Sequence, residues 1–231
     1  MAASTVGVRV NGNEVPAQIY LQPIAAPSVL GLFGFAGATF MVAANMAHWY
    51  GGANTDLYLA AFAATFGGLA QFAAGMWAFK ARDSVATAAH GMWGAFWIAY
   101  GILQYEFLSG ALHTPATASF PALGYWFIVL AAITWMCAWA ASAESIAMSA
   151  VLLFLAAGST IAAIGYLAGS ASIQVIAGYV LIISSIIAWY AASALMLEGA
   201  FHRKVLSSGR PVTQQADLVP GAGEPGVIRG Q

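Results

Sequence analysis

Residues 26–40 read "APSVLGLFGFAGATF": a proline, then glycines at 31, 34 and 37, inside an otherwise apolar run. In water, glycine weakens a helix by about 1 kcal/mol relative to alanine, and proline ends one. Yet the stretch is too apolar for an exposed loop. A lipid environment resolves the conflict, because helices in a bilayer associate by close packing and small residues permit the approach. Pro27 then sits early in a helix, where its missing N–H costs little.

The composition agrees. Hydrophobic residues make up 61% of the 231 and charged residues 6%, against about 25% charged in a soluble domain. Seven Lys and Arg with eight Asp and Glu cannot supply a water-facing surface, so most of the exterior must face lipid. The net charge of −1 provides no electrostatic footprint for nucleic acid. Cys137 is the single cysteine, which excludes an internal disulfide or a cysteine-based metal cluster. The first 25 residues lack the basic, apolar and cleavage segments of a secretory leader, so the first span is expected to be retained.

Charges punctuate the chain, and a span needs about 20 mostly apolar residues. The charge-free gaps hold helices at roughly 27–49, 57–79, 84–108 and 120–142. The 53 residues between Glu144 and Glu198 hold two more, 145–168 and 173–197, joined by a tight turn at "AGSAS" (168–172). The expected fold is an all-α membrane protein with six transmembrane helices in residues 26–198. A segment 1–25 precedes them, and a Gly-, Pro-, Ser- and Gln-rich tail, 199–231, reads as disordered. All seven basic residues fall at Arg9, at Lys80 and Arg82, or in the tail (Arg203, Lys204, Arg210, Arg229). With six spans these regions share one side, so both termini are expected in the cytoplasm. Trp49, Tyr50, Trp77 and Tyr105 suit interfacial belts or packing between helices.

Small residues form faces on several helices: Gly31, Gly34, Gly37 and Ala38; Gly67 and Gly75, with Gly68 adjacent; Gly91, Gly94 and Gly101; and Gly158, Gly165 and Gly169. A tightly packed bundle follows. Polar residues within spans are costly and raise a functional question by default. Gln71 lies on the glycine face of helix 2, where it either bonds a neighbouring helix or lines a passage. Thr39 either bonds its own backbone or faces that passage, and Asn45 lies near a helix end, where a cap suffices. On helix 3, His90, Trp93, Gly94, Trp97, Gly101 and Gln104 recur at helical spacing. Lipid would select Leu, Ile and Val there; a passage with an aromatic narrowing would select this mixture. The alternative for His90 is a bond to a carbonyl near the boundary. No charged residue is expected deep within a span, and Glu106, Glu144 and Glu198 lie near ends. That disfavours an acidic proton relay or a fixed binding charge. No catalytic constellation, metal cluster or cofactor motif is visible. A narrow passage with weak donors and apolar rings suits a small, weakly held solute.

The joint pattern resembles the acetate uptake transporter family. "APSVLGLFGFAGATF" is similar to its amino-terminal signature, Asn-Pro-Ala-Pro-Leu-Gly-Leu followed by Gly-Phe, through Pro27, Leu30, Gly31, Leu32 and Gly34. "FGGLAQFAAGMWAFKARDSVATAAHGMWGAFW" (66–97) and "AAIGYLAGSASIQVIAGYVLIISSIIAWYAASALM" (162–196) resemble its helices 2–3 and its last two helices. The resemblance implies a plasma-membrane hexamer with one pore per subunit for acetate, succinate and similar carboxylates. It further implies a constriction at Phe35, Trp93 and Leu155, with Gln71 at the family's glutamine position and Thr39 near its helix-1 threonines. Ala26 and Val29 replace the signature asparagine and second proline, and Trp93 stands where the family usually has tyrosine. Losing the asparagine removes a donor that could meet a carboxylate. Competing readings are a pore for ammonia, urea or formate, or a non-conducting membrane sensor or scaffold acting through its tail. An enzyme is disfavoured, since no nucleophile and base pair is evident.

Overall fold

The computed structural model describes residues 5–10, 13–18, 24–52 and 54–209. Two antiparallel strands come first, β1 (Thr5–Val10) and β2 (Asn13–Gln18), paired from Thr5 opposite Gln18 to Val10 opposite Asn13. This hairpin was not expected within segment 1–25. Six helical rods follow. They are α1 (Pro27–Met46), α2, α3 (Ser84–Ser109), α4 (Pro121–Ala141), α5 (Ile146–Ala168) and α6 (Ala171–Phe201). The rod α2 runs without a break through Thr55–Phe62, a π-helical stretch Ala63–Ala70, and Gln71–Ala81. The chain is therefore a helical multi-span membrane bundle. Five rods are long and apolar enough to cross a bilayer by themselves. The sixth, α3, has the length but not the mean apolarity, because His90, Trp93, Trp97, Tyr100, Gln104, Tyr105 and Glu106 lower it.

The expected helix-3 face is buried throughout: His90, Trp93, Gly94, Trp97, Gly101 and Gln104 all lie inside. The rods form a ring in which α1 packs on α2 and α6, α2 on α3, and α5 on α4 and α6, while α3 and α4 close the circle more loosely. Among the described residues, no Cα of α5 comes within 8 Å of α1 or α3. Space therefore remains along the axis between these three.

Glycines set the tight contacts of α1, α2 and α3. A Cβ on Gly94 would lie 2.5 Å from the Phe72 backbone nitrogen, and one on Gly75 would lie 2.6 Å from that of Gly91. On α1, a Cβ on Gly34 would meet the Phe66 carbonyl at 2.6 Å. Side chains could not shift to relieve such clashes, since the opposing atoms are backbone.

Corners are built by capping. Arg82 ends α2 in the left-handed conformation, and Asp83 opens α3 by accepting the Ala86 N–H at 2.8 Å. Ser145 and Ser170 cap α5 and α6 likewise. Helix α6 extends to Phe201, past the expected boundary at 198, because "LEGAF" keeps its i→i−4 bonding. After it, the chain folds back on α5: the Ile146 N–H donates to the Gly209 carbonyl, and the Ala147 N–H and Ser145 hydroxyl donate to that of Ser208. The rest of the expected disordered tail, 210–231, lies outside the described residues.

Candidate functional site

Two small cavities lie in tandem along the axis. The first, about 30 Å³, is lined on α1 by Ser28, Leu32 and Phe35, on α2 by Gln71, and on α3 by residues from Val85 to Trp93. On its far side are α5 residues from Met148 to Leu155, and it reaches Asp83 and Glu144 at the α2–α3 and α4–α5 corners. The second, about 20 Å³, lies further along the same rods. Its walls are Thr39, Val42, Ala43 and Met46 of α1, Trp93 to Tyr100 of α3, and Phe127, Leu155, Tyr166 and Leu181. Each has room for one or two waters at about 10–15 Å³ apiece. From Ser28 to Met46 the lining covers roughly 27 Å at 1.5 Å per residue, close to the thickness of the hydrocarbon layer.

Phe35, Trp93 and Leu155, the trio that the family resemblance implies, lie on one cavity wall. Each is 2% exposed. All three line the first cavity, and Trp93 and Leu155 also line the second, so these side chains lie at the level where the two spaces adjoin. The Phe35 and Trp93 rings meet edge to face at 6.3 Å, a favoured arrangement of ring quadrupoles. Trp93 is fixed by a residue that sequence reasoning missed. Its indole N–H donates to Thr134 Oγ1 on α4 at 2.9 Å, and that hydroxyl donates to the Leu130 carbonyl at 2.6 Å. A helical threonine carries no sequence signal for such a role.

Polar groups flank this level. Gln71, expected on the packed face of helix 2, lies directly after the π-helical stretch and lines the first cavity. Its Oε1 is buried and has no hydrogen-bond partner among the described residues. His90 lines the same cavity; its Nε2 lies 3.1 Å from Ser28 Oγ, and its Nδ1 is buried without a partner. The contact is with a hydroxyl, not the boundary carbonyl that was the simpler reading. Ser28 was not singled out from the sequence. Gly31 makes room for the imidazole: a Cβ there would lie 2.6 Å from the His90 ring.

In the second cavity Thr39 Oγ1 is buried without a partner among the described residues, so the reading in which it bonds its own backbone does not hold. Trp97 Nε1 is in the same position. Asn45 lines neither space; its Nδ2 donates to the Tyr50 carbonyl at 3.0 Å and closes the end of α1. Of the signature residues, Pro27 opens α1, Gly34 packs on α2, Leu32 lines the first cavity and Leu30, 50% exposed, faces outward.

In the sequence, Asp83 and Glu144 are charges near span ends. The structure buries Asp83, half-buries Glu144, and puts both on the wall of the first cavity. Burial, with the neighbouring Asp83 carboxylate adding to it, pushes the Glu144 carboxyl up to about 7. Among the described residues there is no group of three or more His, Cys, Asp and Glu able to hold a metal ion.

These features define a helical membrane protein with a divided axial space inside a single chain. The chain matches the GPR1/FUN34/yaaH family over residues 10–203 and belongs to that family. Among solved structures it is similar to a bacterial acetate channel, SatP, with a TM-score of 0.73 and 25% identity, over 80% of this chain and 99% of that one. No curated protein matches it significantly.

Proposed function

We propose that the chain is a membrane channel or transporter for acetate and related small carboxylates, succinate among them. In this reading the two cavities are one pathway through each subunit, with Phe35, Trp93 and Leu155 as its apolar narrowing. The observation that carries it is the pairing of tandem cavities with buried, unpartnered polar atoms on either side of one apolar level. A carboxylate sheds water at the narrowing, where apolar walls offer nothing in exchange. On one side Gln71 and His90 replace part of that water, and on the other Thr39 and the Trp97 N–H do so. A hydrogen bond to a charged group contributes about 1.5–3 kcal/mol, enough to guide the ion without trapping it. The similarity to an acetate channel supports this solute class. No enzymatic step is needed.

The subunit is expected to assemble as a hexamer in the plasma membrane. Lys80 in the last turn of α2, Arg82 just after it, and Arg203 and Lys204 just after α6 support a cytoplasmic position for that end of the bundle. The test is exchange of labelled acetate in proteoliposomes, alongside formate, succinate, urea and ammonia. Acetate exchange well above empty liposomes is expected. Rates equal to empty liposomes for every carboxylate would remove the reading, and exchange of the neutral solutes alone would redirect it.

A further inference from the structure

The first cavity carries two carboxyl groups at its outer end, and a pathway for anions has no evident use for them. Asp83 comes from the α2–α3 corner and Glu144 from the α4–α5 corner. Asp83 is committed: its Oδ1 accepts the Ala86 N–H at the start of α3, where backbone N–H groups favour a negative charge. Glu144 makes no such contact. Deeper in the same space, Gln71 Oε1 and His90 Nδ1 are buried without partners among the described residues, and both residues are at least nine-tenths buried. The cavity, mostly apolar, thus holds unpaired polar atoms in its depth and two carboxyl groups at the helix corners that bound it, the end proposed here as its entrance.

We propose that Asp83 and Glu144 form a protonation gate, in which a proton on Glu144 admits a carboxylate to the first cavity and its loss excludes one. With Glu144 protonated, the entrance carries one negative charge and a carboxyl O–H that can donate to the arriving anion. With both groups ionised, the entrance is doubly negative in a partly buried setting, and repulsion there is far stronger than in open water. The position of Glu144's titration, at about 7, puts the switch between pH 6 and 8. His90 is the other titratable group on the cavity wall. Lys80, Arg82, His202, Arg203 and Lys204 at this end are exposed, and Glu198 on α6 is half-buried. The folded-back residues 207–209 that pack against Ser145 and Ile146 bring no charge.

The inference rests on the channel reading above. Its test is exchange of labelled acetate, and of formate, in proteoliposomes held at equal pH on both sides from pH 5.5 to 8.5. Wild-type exchange should fall about tenfold from pH 6 to pH 8, following the protonated fraction of one group. Glu144→Gln should stay near the pH 6 rate throughout, and Asp83→Asn, which keeps the helix cap, should move the midpoint to lower pH. A Glu144→Gln profile as steep as the wild type would overturn the gate and leave the channel reading intact. Exchange no faster than in empty liposomes, for both anions at every pH, would remove the channel reading and the gate with it.

Discussion

The two cavities share three rods and a dividing level but differ in chemistry. The first offers two carboxyl groups, a serine–histidine contact and an amide; the second offers a threonine, indoles and stacked rings, including Phe127 against Tyr166 at 5.8 Å. Protons can change the charge of the first at neutral pH, while the second has only groups that keep theirs. A single chain therefore presents a titratable face at one end and an aromatic one at the other.

Trp93→Ala breaks the comparison most directly, since it merges the two spaces. A four-carbon acid should then exchange at least about tenfold faster, equivalent to about 1.4 kcal/mol of barrier; an unchanged size cut-off in the liposome assay would mean that Trp93 divides nothing. Next come Gln71→Leu and Thr39→Val, one on each side of the level. Each removes a hydrogen-bonding partner for a charged solute, so acetate exchange should fall roughly 10-fold or more, at about 1.5–3 kcal/mol per bond. If one variant keeps the wild-type rate, only the other side contacts the ion.

Thr134→Ala leaves the Trp93 indole N–H buried without its acceptor, a cost of about 1–3 kcal/mol. Thermal unfolding in detergent should report that loss, with a smaller rise in large-acid exchange than for Trp93→Ala. The weakest effect concerns pH and stability. Glu144 binds its proton more tightly in the folded chain, so its contribution is fully present below the unfolded value and is lost as pH rises through about 7. The melting temperature should therefore decline from pH 5 to pH 8, and Glu144→Gln should flatten the decline.

Much of this arrangement is legible in the sequence. Lipid forces long charge-free runs, so six rods can be counted by their punctuation. Close packing forces glycine, so Gly34, Gly75 and Gly94 mark where backbones touch. The inward face of α3 is readable because six residues that lipid would not select recur at one helical spacing. What escapes is whatever depends on partners distant in the chain. Asp83 and Glu144 each look like ordinary charges at a span end, and only the fold brings them to one wall. Ser28 and Thr134 are hydroxyls of a kind that commonly bond their own helix. The π-helical stretch before Gln71 has no composition of its own. For the amino-terminal hairpin the sequence does carry a signal, Asn-Gly at 11–12 between two valine-containing runs.

The return of residues 207–209 onto the start of α5 has a practical consequence. Their carbonyls take N–H groups that a helix otherwise leaves open in its first turn, next to the corner that carries Glu144. A purification handle grafted at residue 201, in place of everything downstream, would strip those acceptors away and leave the start of α5 unclasped. One attached beyond Gly209 would leave it clasped.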